Sequence, residues 1–285
     1  MMPKILVLYK RSLFQLYIKK AKNFKGFVSP QQLKILKYTH DCHYSCLDQT
    51  LSALKKFKIP YSSRCRGSKI DYNKYQIVIT VGGDGTFLEA ARSVKNQLIF
   101  GINSNPEHSH GRLCTVTLKI LDQILHDILL NKYSVLMLPR LQLIFPDHKE
   151  PINFTNDILI THSNPAAMTR YHITIDKTSE EHRNSGIWIS TAAGSSGAIH
   201  SAGGKILPLT DTRFQYQPRE LFYGFKKNYS LKGGILSAKK TIQIISCMRN
   251  GMIFIDGAHQ KIKFPIGSKV QISPSKEQLA VVIKK

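Results

Sequence analysis

Acidic residues are scarce in this 285-residue chain: 18 Asp and Glu stand against 41 Lys and Arg, a formal net charge of +23. A field of that sign attracts anions generally, including nucleotides, polyphosphate, nucleic acid and acidic lipid. The basic residues fall in scattered pairs: Lys19-Lys20, Lys55-Lys56, Lys226-Lys227, Lys239-Lys240 and Lys284-Lys285. They form no long basic block. The sequence also lacks a C-x2-C finger and an aromatic RNA-binding strand. Nucleic-acid binding is therefore expected to be weak, salt-sensitive and indifferent to sequence. Long apolar runs are missing too. None approaches the roughly 18 residues of a membrane span, so no membrane crossing is expected. Met1 to Tyr9 is short for a secretory signal and enters a strand at once, so no cleavable targeting segment is expected and the location is expected to be cytoplasmic, with an organelle left open.

Cysteine is sparse: Cys42, Cys46, Cys65, Cys114 and Cys247, five in all. An odd number without framework spacing fits a reducing compartment. His40-Asp-Cys42-His43-Tyr-Ser-Cys46 holds metal-ligand types, but no second pair follows at finger spacing. The segment instead continues in a helical period through Leu47, Leu51 and Leu54. No metal ligand set is expected. Two phosphate-binding signatures are absent as well. There is no G-x-x-x-x-G-K-[ST], and Leu88 stands where the last glycine of G-x-G-x-x-G would be.

What is present centres on Tyr75-Gln-Ile-Val-Ile-Thr-Val81 running into Gly82-Gly83-Asp84-Gly85-Thr86. The first part is a short Ile/Val run and reads as a buried parallel strand. The glycines let a ligand approach the main chain. Thr86 and Glu89 read as a capping box, which predicts a helix opening there. Strand, glycine turn and helix N-terminus make an anion-binding geometry. A carboxylate inside such a cradle is costly unless it acts on the substrate or a metal, so Asp84 is the candidate reactive group.

The rest of the N-terminal third alternates in type. Lys4–Tyr9 reads as a strand, Leu13–Lys22 as a basic amphipathic stretch, and Asn23–Pro30 as a loop. Helical spacing runs over Gln31–Tyr38 and Cys42–Phe57, a short edge strand fits Pro60–Arg66, and Leu98–Ile102 reads as a buried strand. This predicts an open, mostly parallel α/β sheet with ligands beyond the carboxyl ends of its strands. Past residue 108 a helix is expected at Lys119–Leu130. Short strands then follow at 135–138, 141–145, 153–161, 172–175, 187–190, 241–245, 252–255, 269–272 and 279–283. Those predict a β-rich, antiparallel domain. The expected division is 1–108 and 109–285, with the last strand a candidate to pack back on the first domain. A second small-residue stretch, Ser190-Thr-Ala-Ala-Gly-Ser-Ser196 running to Ser201-Ala-Gly-Gly204, follows a strand and offers hydroxyls at Thr191, Ser195 and Ser196.

Four segments in this order resemble the NAD kinase family: Gly82–Thr86, Asn156-Asp157, Ser190–Ser195 with Ser201–Gly204, and Ile255-Asp256-Gly257. Gly101-Ile-Asn-Ser-Asn-Pro106 and the Thr-Ala-Ala-Gly-Ser run look most like its NADH-kinase, mitochondrial-type branch. The resemblance implies a Rossmann-like α/β domain, a β-sandwich-like C-terminal domain and an active site in the crevice between them. It implies transfer of the ATP γ-phosphoryl to the 2′-hydroxyl of the adenosine ribose of NAD or NADH, with Mg2+ or another divalent metal accompanying ATP. Asp84 takes the role of base, Gly82, Gly83, Gly85 and Thr86 that of the nucleotide turn, and Asn156 and Asp157 that of ribose holders. Thr191, Gly194, Ser195 and Ser196 match the ligand-lining turn, and Asp256 the acid near the nicotinamide half. A homodimer or tetramer is implied. Asp157 stands where Glu is usual, Ala193 where Thr is common, Ala198 where Tyr is common, and Ser185 where Asp is frequent. Arg183, Arg213 and Arg219 are further candidates to neutralise phosphates. Two other readings compete: a non-catalytic dinucleotide or nucleic-acid binder on the same fold, and a lipid kinase of the diacylglycerol or sphingoid type sharing the G-G-D-G turn.

Overall fold

The computed structural model describes residues 2–19, 28–224 and 228–284, the side chains of residues 18 and 19 excepted. Residues 20–27, which end the expected basic stretch and begin the expected loop from Asn23, lie outside the described residues, as do Lys226, Lys227 and Lys285 of the basic pairs. Two compact units divide the chain. One comprises Met1–Leu136 with Leu279–Lys285, the other Met137–Gln278.

The first unit is an α/β layer structure. Its strands are β1 (Ile5–Tyr9), β2 (Tyr61–Cys65), β3 (Ile77–Gly82), β4 (Leu98–Asn103) and β5 (Ser134–Leu138), joined by the C-terminal strand Leu279–Ile283. The sheet order is β2, β1, β3, β4, C-terminal strand, β5. The pairs β1–β2, β1–β3, β3–β4 and β4 with the C-terminal strand are all parallel. Strand β3 is buried at every position, as expected of an Ile/Val run covered on both faces. Helix α1 (Pro30–Lys56) opens on a true capping box, Ser29 with Gln32, and runs unbroken through the His40–Cys46 segment. Helix α2 (Asp84–Ala91) follows the glycine turn, and α3 (Leu118–Leu129) follows β4. Leu121, Ile124, Leu125 and Ile128 of α3 share one core with Ile5, Val7, Ile77 and Ile79. That shared core is why the unit extends to residue 136, past the division expected near residue 108. The chain order 2-1-3-4 reverses direction beside β1, and such a switch point opens a crevice at the strands' carboxyl ends.

The second unit is a sandwich of two antiparallel six-stranded sheets. One contains β6 (Leu141–Ile144), β7 (Ile152–Phe154), β9 (Thr169–Ile175), β10 (Thr178–Asn184), β14 (Ile242–Ser246) and β17 (Lys269–Pro274). The other contains β8 (Asp157–His162), β11 (Ile187–Ser190), β12 (Phe214–Pro218), β13 (Gly234–Leu236), β15 (Gly251–Ile255) and β16 (Gln260–Lys263). Alternating Ile, Phe and Tyr side chains of both sheets, among them Phe154, Ile158, Tyr171, Ile173, Ile189 and Ile244, meet in one buried core. The run expected as one strand over 153–161 is two, β7 and β8, and the residues that interrupt it are Thr155 and Asn156. Among the described residues no helix is long and apolar enough to cross a membrane.

Candidate active site

The glycine turn closes β3. Gly83 is the N-cap of α2, in extended backbone, and Asp84 is its first helical residue. The helix thus begins ahead of Thr86, and the expected Thr86–Glu89 capping box does not form. Glu89 is recruited elsewhere: its carboxylate accepts from Arg66 Nε at 2.7 Å and from Gly67 N at 2.8 Å. Burial raises the Glu89 carboxyl, but the Arg66 and Gly67 donors outweigh it and hold the group below its ordinary range. The Thr86 hydroxyl is buried without a hydrogen-bond partner among the described residues. A Cβ on Gly82 would lie 2.4 Å from that hydroxyl, so the close helix–turn approach needs glycine there.

Asp84 sits at the start of α2 with both oxygens engaged. Oδ2 accepts from Arg112 N at 3.0 Å and Oδ1 from Leu113 N at 2.8 Å. The carboxylate therefore anchors the connection that leads from β4 toward α3. Each oxygen keeps a second lone-pair direction for another donor. Burial pulls the Arg112 guanidinium below its ordinary pKa, with the Asp84 charge opposing that shift.

A cavity of about 460 Å3 opens at the same carboxyl ends, lined by Lys10 after β1, Gly82 and Gly83 after β3, and Asn103, Ser104 and Asn105 after β4. His43 of α1 closes one side. Its Nε2 donates to the Lys10 carbonyl at 2.8 Å, so Nδ1 carries no hydrogen and accepts from Ser104 Oγ at 2.9 Å. Burial drives this imidazole down to about 4, with the hydrogen bond to Lys10 opposing, so it is neutral at physiological pH. Ser104 N donates to Gly82 O at 2.9 Å, which ties the histidine to the glycine turn. Burial, reinforced by the Arg66 charge, lowers the Lys10 ammonium.

In the second unit the other candidates meet at one corner. Asn156 and Asp157 lead into β8, and Asp256 follows β15, the neighbouring strand. Asp256 and Gly257 both have positive φ, +47° and +99°, as the turn from β15 into β16 requires. The Asp256 carboxylate points back into the unit. It accepts from Thr155 N at 3.0 Å and Asn156 N at 2.6 Å, while its own N–H donates to Asp157 O at 2.9 Å. Asn156 Nδ2 donates to Asp157 Oδ2 at 3.3 Å. Burial, with the Asp256 charge adding to it, pushes the Asp157 carboxyl up to about 7.

The small-residue stretch packs against the same corner. Thr191 N donates to Asn156 O at 3.0 Å, and the Thr191 hydroxyl donates to Thr155 O at 2.6 Å. A Cβ on Gly194 would fall 2.2 Å from Asn156 O, and one on Gly197 would lie 3.6 Å from Asp157 Oδ2. Glycine at 194 is what lets the turn touch the pair, whereas a Cβ at 197 would meet Asp157 at ordinary contact distance. The Ser195 hydroxyl turns inward, donating to Ala192 O at 2.6 Å and accepting from Leu207 N at 2.9 Å. Of the three hydroxyls expected to face a ligand, Thr191 and Ser195 are buried in backbone contacts and Ser196 is exposed.

The structure thus gathers Asn156, Asp157, Thr191, Gly194, Ser195, Ser196 and Asp256 at one corner of the second unit, and Gly82, Gly83, Asp84, Gly85 and Thr86 at one strand end of the first. Arg183, Arg213 and Arg219 join neither group. They lie beside Glu181 at 3.0 Å, Asp211 at 2.7 Å and Glu220 at 3.9 Å. Sequence reasoning gave no site role to His43, Thr155 or Arg140, while Ser104 lies in the Asn103–Pro106 segment that it had singled out. Arg140, between β5 and β6, is only 3% exposed. Burial lowers its pKa, and the charges of Asp256 and Glu277 oppose that shift. The one sequence signal for it is a cation set between two apolar strands, Leu138-Pro139-Arg140-Leu141.

No family model matches the chain. Curated relatives do. A probable NADH kinase of Oryza sativa subsp. japonica is 27% identical over 276 residues, 88% of this chain and 85% of that protein. The NADH kinase of Arabidopsis thaliana is 28% identical over 288 residues, covering 90% and 88%. An NAD kinase of Caldicellulosiruptor saccharolyticus is 33% identical over a shorter stretch of 170 residues, 56% and 60%. The fold is that of an NAD kinase from Archaeoglobus fulgidus solved in complex with ATP, with a TM-score of 0.68 over 98% of this chain and 92% of that one at 20% identity. The chain is thus similar to NADH kinases along about nine tenths of its length, and it has the fold of an NAD kinase.

Proposed function

We propose that the chain is an NAD(H) kinase that transfers the γ-phosphoryl of ATP to the 2′-hydroxyl of the adenosine ribose of NAD or NADH, making NADP or NADPH. The observation that carries this reading is the corner where Asn156, Asp157, the Thr191–Ser196 turn and Asp256 meet. Vicinal ribose hydroxyls call for donors and acceptors side by side, and an amide next to a carboxyl supplies both. Gly194 and Gly197 keep Cβ atoms out of that corner, which suits a flat ligand. The names of the plant relatives support the same acceptor, and the ATP complex of the structural relative supports ATP as donor.

In the transfer, a bond forms between the ribose 2′-oxygen and Pγ while the bond from Pγ to the β–γ bridging oxygen breaks, and the hydroxyl proton leaves. Asp84 is the group assigned to that proton. Two backbone N–H donors hold its carboxylate, so it orients the hydroxyl as well as accepting from it. Lys10 and the glycine turn supply positive charge and open backbone for phosphates. Among the described residues no three His, Cys, Asp or Glu side chains gather so as to hold a metal ion. The divalent metal arrives with ATP, as part of the metal–ATP substrate. Assembly as a homo-oligomer belongs to the same proposal.

The test is incubation of the purified protein with ATP, magnesium and either NAD or NADH, with NADP or NADPH read by a coupled assay. Formation of either product is the expected result. Both dinucleotides left untouched while ATP is consumed against a lipid acceptor would overturn it.

A further inference from the structure

His43 stands at the middle of α1 and is only 2% exposed. Its imidazole holds two strands at once. Nε2 donates to the carbonyl of Lys10, the residue after β1, at 2.8 Å. Nδ1 accepts from the hydroxyl of Ser104, the residue after β4, at 2.9 Å. In the sheet β3 lies between β1 and β4, with Val81 beside Tyr9 and Gly82 beside Asn103. The imidazole therefore links the two strand ends that flank the glycine turn. Ser104 N also donates to Gly82 O at 2.9 Å, so the residue that His43 holds is itself fastened to that turn. All three strand ends line the cavity of about 460 Å3. Groups that receive a charged ligand work best when neighbouring hydrogen bonds fix them in advance.

We propose that His43 is a positioning residue of the nucleotide site: its imidazole clamps Lys10 and Ser104 on either side of the glycine turn and so fixes the cradle that takes the polyphosphate of the nucleoside triphosphate. This rests on the reading of that turn as the phosphate site. His43 acts through the two residues it holds. A leucine in its place releases both. The main chain at Lys10 then loses the contact that sets where its side chain enters the cavity, and the Ser104 hydroxyl, on a residue only 4% exposed, loses its acceptor. Both losses fall within the first unit, whereas the residues assigned to the ribose, Asn156 and Asp157, belong to the second. The proposal thus separates the two substrates: polyphosphate binding depends on His43, and dinucleotide binding does not.

The test compares two affinities on the full chain: magnesium–ATP by calorimetry without dinucleotide, and NADH by fluorescence without ATP. Salt at about 0.15 M screens binding to scattered surface charges. In H43L the Kd for magnesium–ATP rises about tenfold or more, as loss of one or two hydrogen bonds predicts, while the Kd for NADH stays within about twofold. H43Q keeps a donor for Lys10 and H43N an acceptor for Ser104, so each recovers part of the loss. A folded H43L with wild-type ATP affinity would overturn the proposal, as would an H43L that loses both ligands equally. Should H43L not fold, H43Q and S104A decide as a pair. Both break the same imidazole–hydroxyl bond, so each weakens ATP by about threefold and the double variant weakens it no further. Losses that add, or no loss, sink the idea. A wild-type protein that binds ATP yet makes neither NADP nor NADPH would defeat the kinase reading instead, while the ATP affinities still judge His43. A wild type that makes product while H43L keeps its ATP affinity leaves the kinase reading standing and removes His43 from the site.

Discussion

The backbone N–H of Asp256 donates to the carbonyl oxygen of Asp157 at 2.9 Å, bringing together two buried carboxylates carried by neighbouring strands. The pairing has a thermodynamic cost. Burial first, and the Asp256 charge second, raise the Asp157 carboxyl from 3.8 to about 7.

Because the folded pKa lies above the unfolded one, the native state binds the extra proton. Asp157 therefore favours folding most below pH ~4, and this contribution is lost as pH rises toward about 7. Asp157→Asn removes the titration. The difference in stability between variant and wild type should grow in the variant's favour from pH 5 to pH 8, by about 1.4 kcal/mol for every tenfold difference in proton affinity between folded and unfolded chain that the substitution abolishes. Urea unfolding of both proteins across that range measures it. A difference that stays constant with pH would show that Asp157 titrates in the folded protein as it does in the unfolded chain.

His43 has the opposite sign. Its folded pKa, about 4, lies below the ordinary histidine value, so its neutral form stabilises the fold above pH ~6.5 and loses that effect as pH falls toward 4. His43→Gln, which cannot protonate, should flatten the acid limb of the stability curve. It should also cost about 1–2 kcal/mol at pH 7 through the Ser104 and Lys10 hydrogen bonds it remakes imperfectly. Thermal melts at pH 5 and pH 7.5 decide it. An acid limb as steep as wild type would contradict the assignment.

Much of the fold is legible in the sequence where one force dominates. Strands β1, β3 and β4 are Ile/Val-rich runs, and three glycines within four positions mark a tight backbone feature at the end of β3. Strand β10 is illegible for a physical reason. Its buried face is polar, Glu180, His182 and Asn184, so the usual alternation marks nothing. Those groups are satisfied only in three dimensions: Glu180 takes His182 Nε2 at 2.9 Å and the Leu231 N–H at 2.7 Å. The same cause defeats the Thr86–Glu89 capping box, since Arg66, distant in sequence, outcompetes the local partner. At the candidate site the types Asp, Asn, Ser and Gly are readable in order along the chain. Arg140 and His43 are not, because a buried charge or imidazole is defined by what folds around it.

Gly194 offers a steric test of the corner. An Ala side chain there would place Cβ 2.2 Å from the carbonyl oxygen of Asn156, a backbone atom that cannot swing aside. Gly194→Ala should cost about 1–3 kcal/mol of stability and weaken NADH binding at least tenfold by displacing Asn156 and Asp157. Gly257→Ala meets open space and carries only the strain of its positive φ, so it should melt lower but keep more of its affinity. Equal loss of binding in the two variants would mean that the turn does not control the pair.

Asp84→Asn separates anchoring from chemistry. The carboxylate accepts one N–H on each oxygen, from Leu113 and from Arg112. An amide can accept on one side only, and on the other its NH2 faces an N–H. The variant should therefore lose about 1.5–3 kcal/mol, the worth of a hydrogen bond to a charged acceptor. It also cannot take the proton of a ribose hydroxyl, so kcat should fall by roughly 10²–10⁴. Nucleotide affinity should hold or tighten slightly, because a negative charge leaves the neighbourhood of the phosphates. Calorimetric binding of ATP, steady-state rates and a thermal melt on one preparation resolve the three effects. A kcat within about threefold of wild type, beside the expected loss of stability, would make Asp84 a structural anchor for the Arg112–Leu113 backbone and leave catalysis to positioning and charge neutralisation.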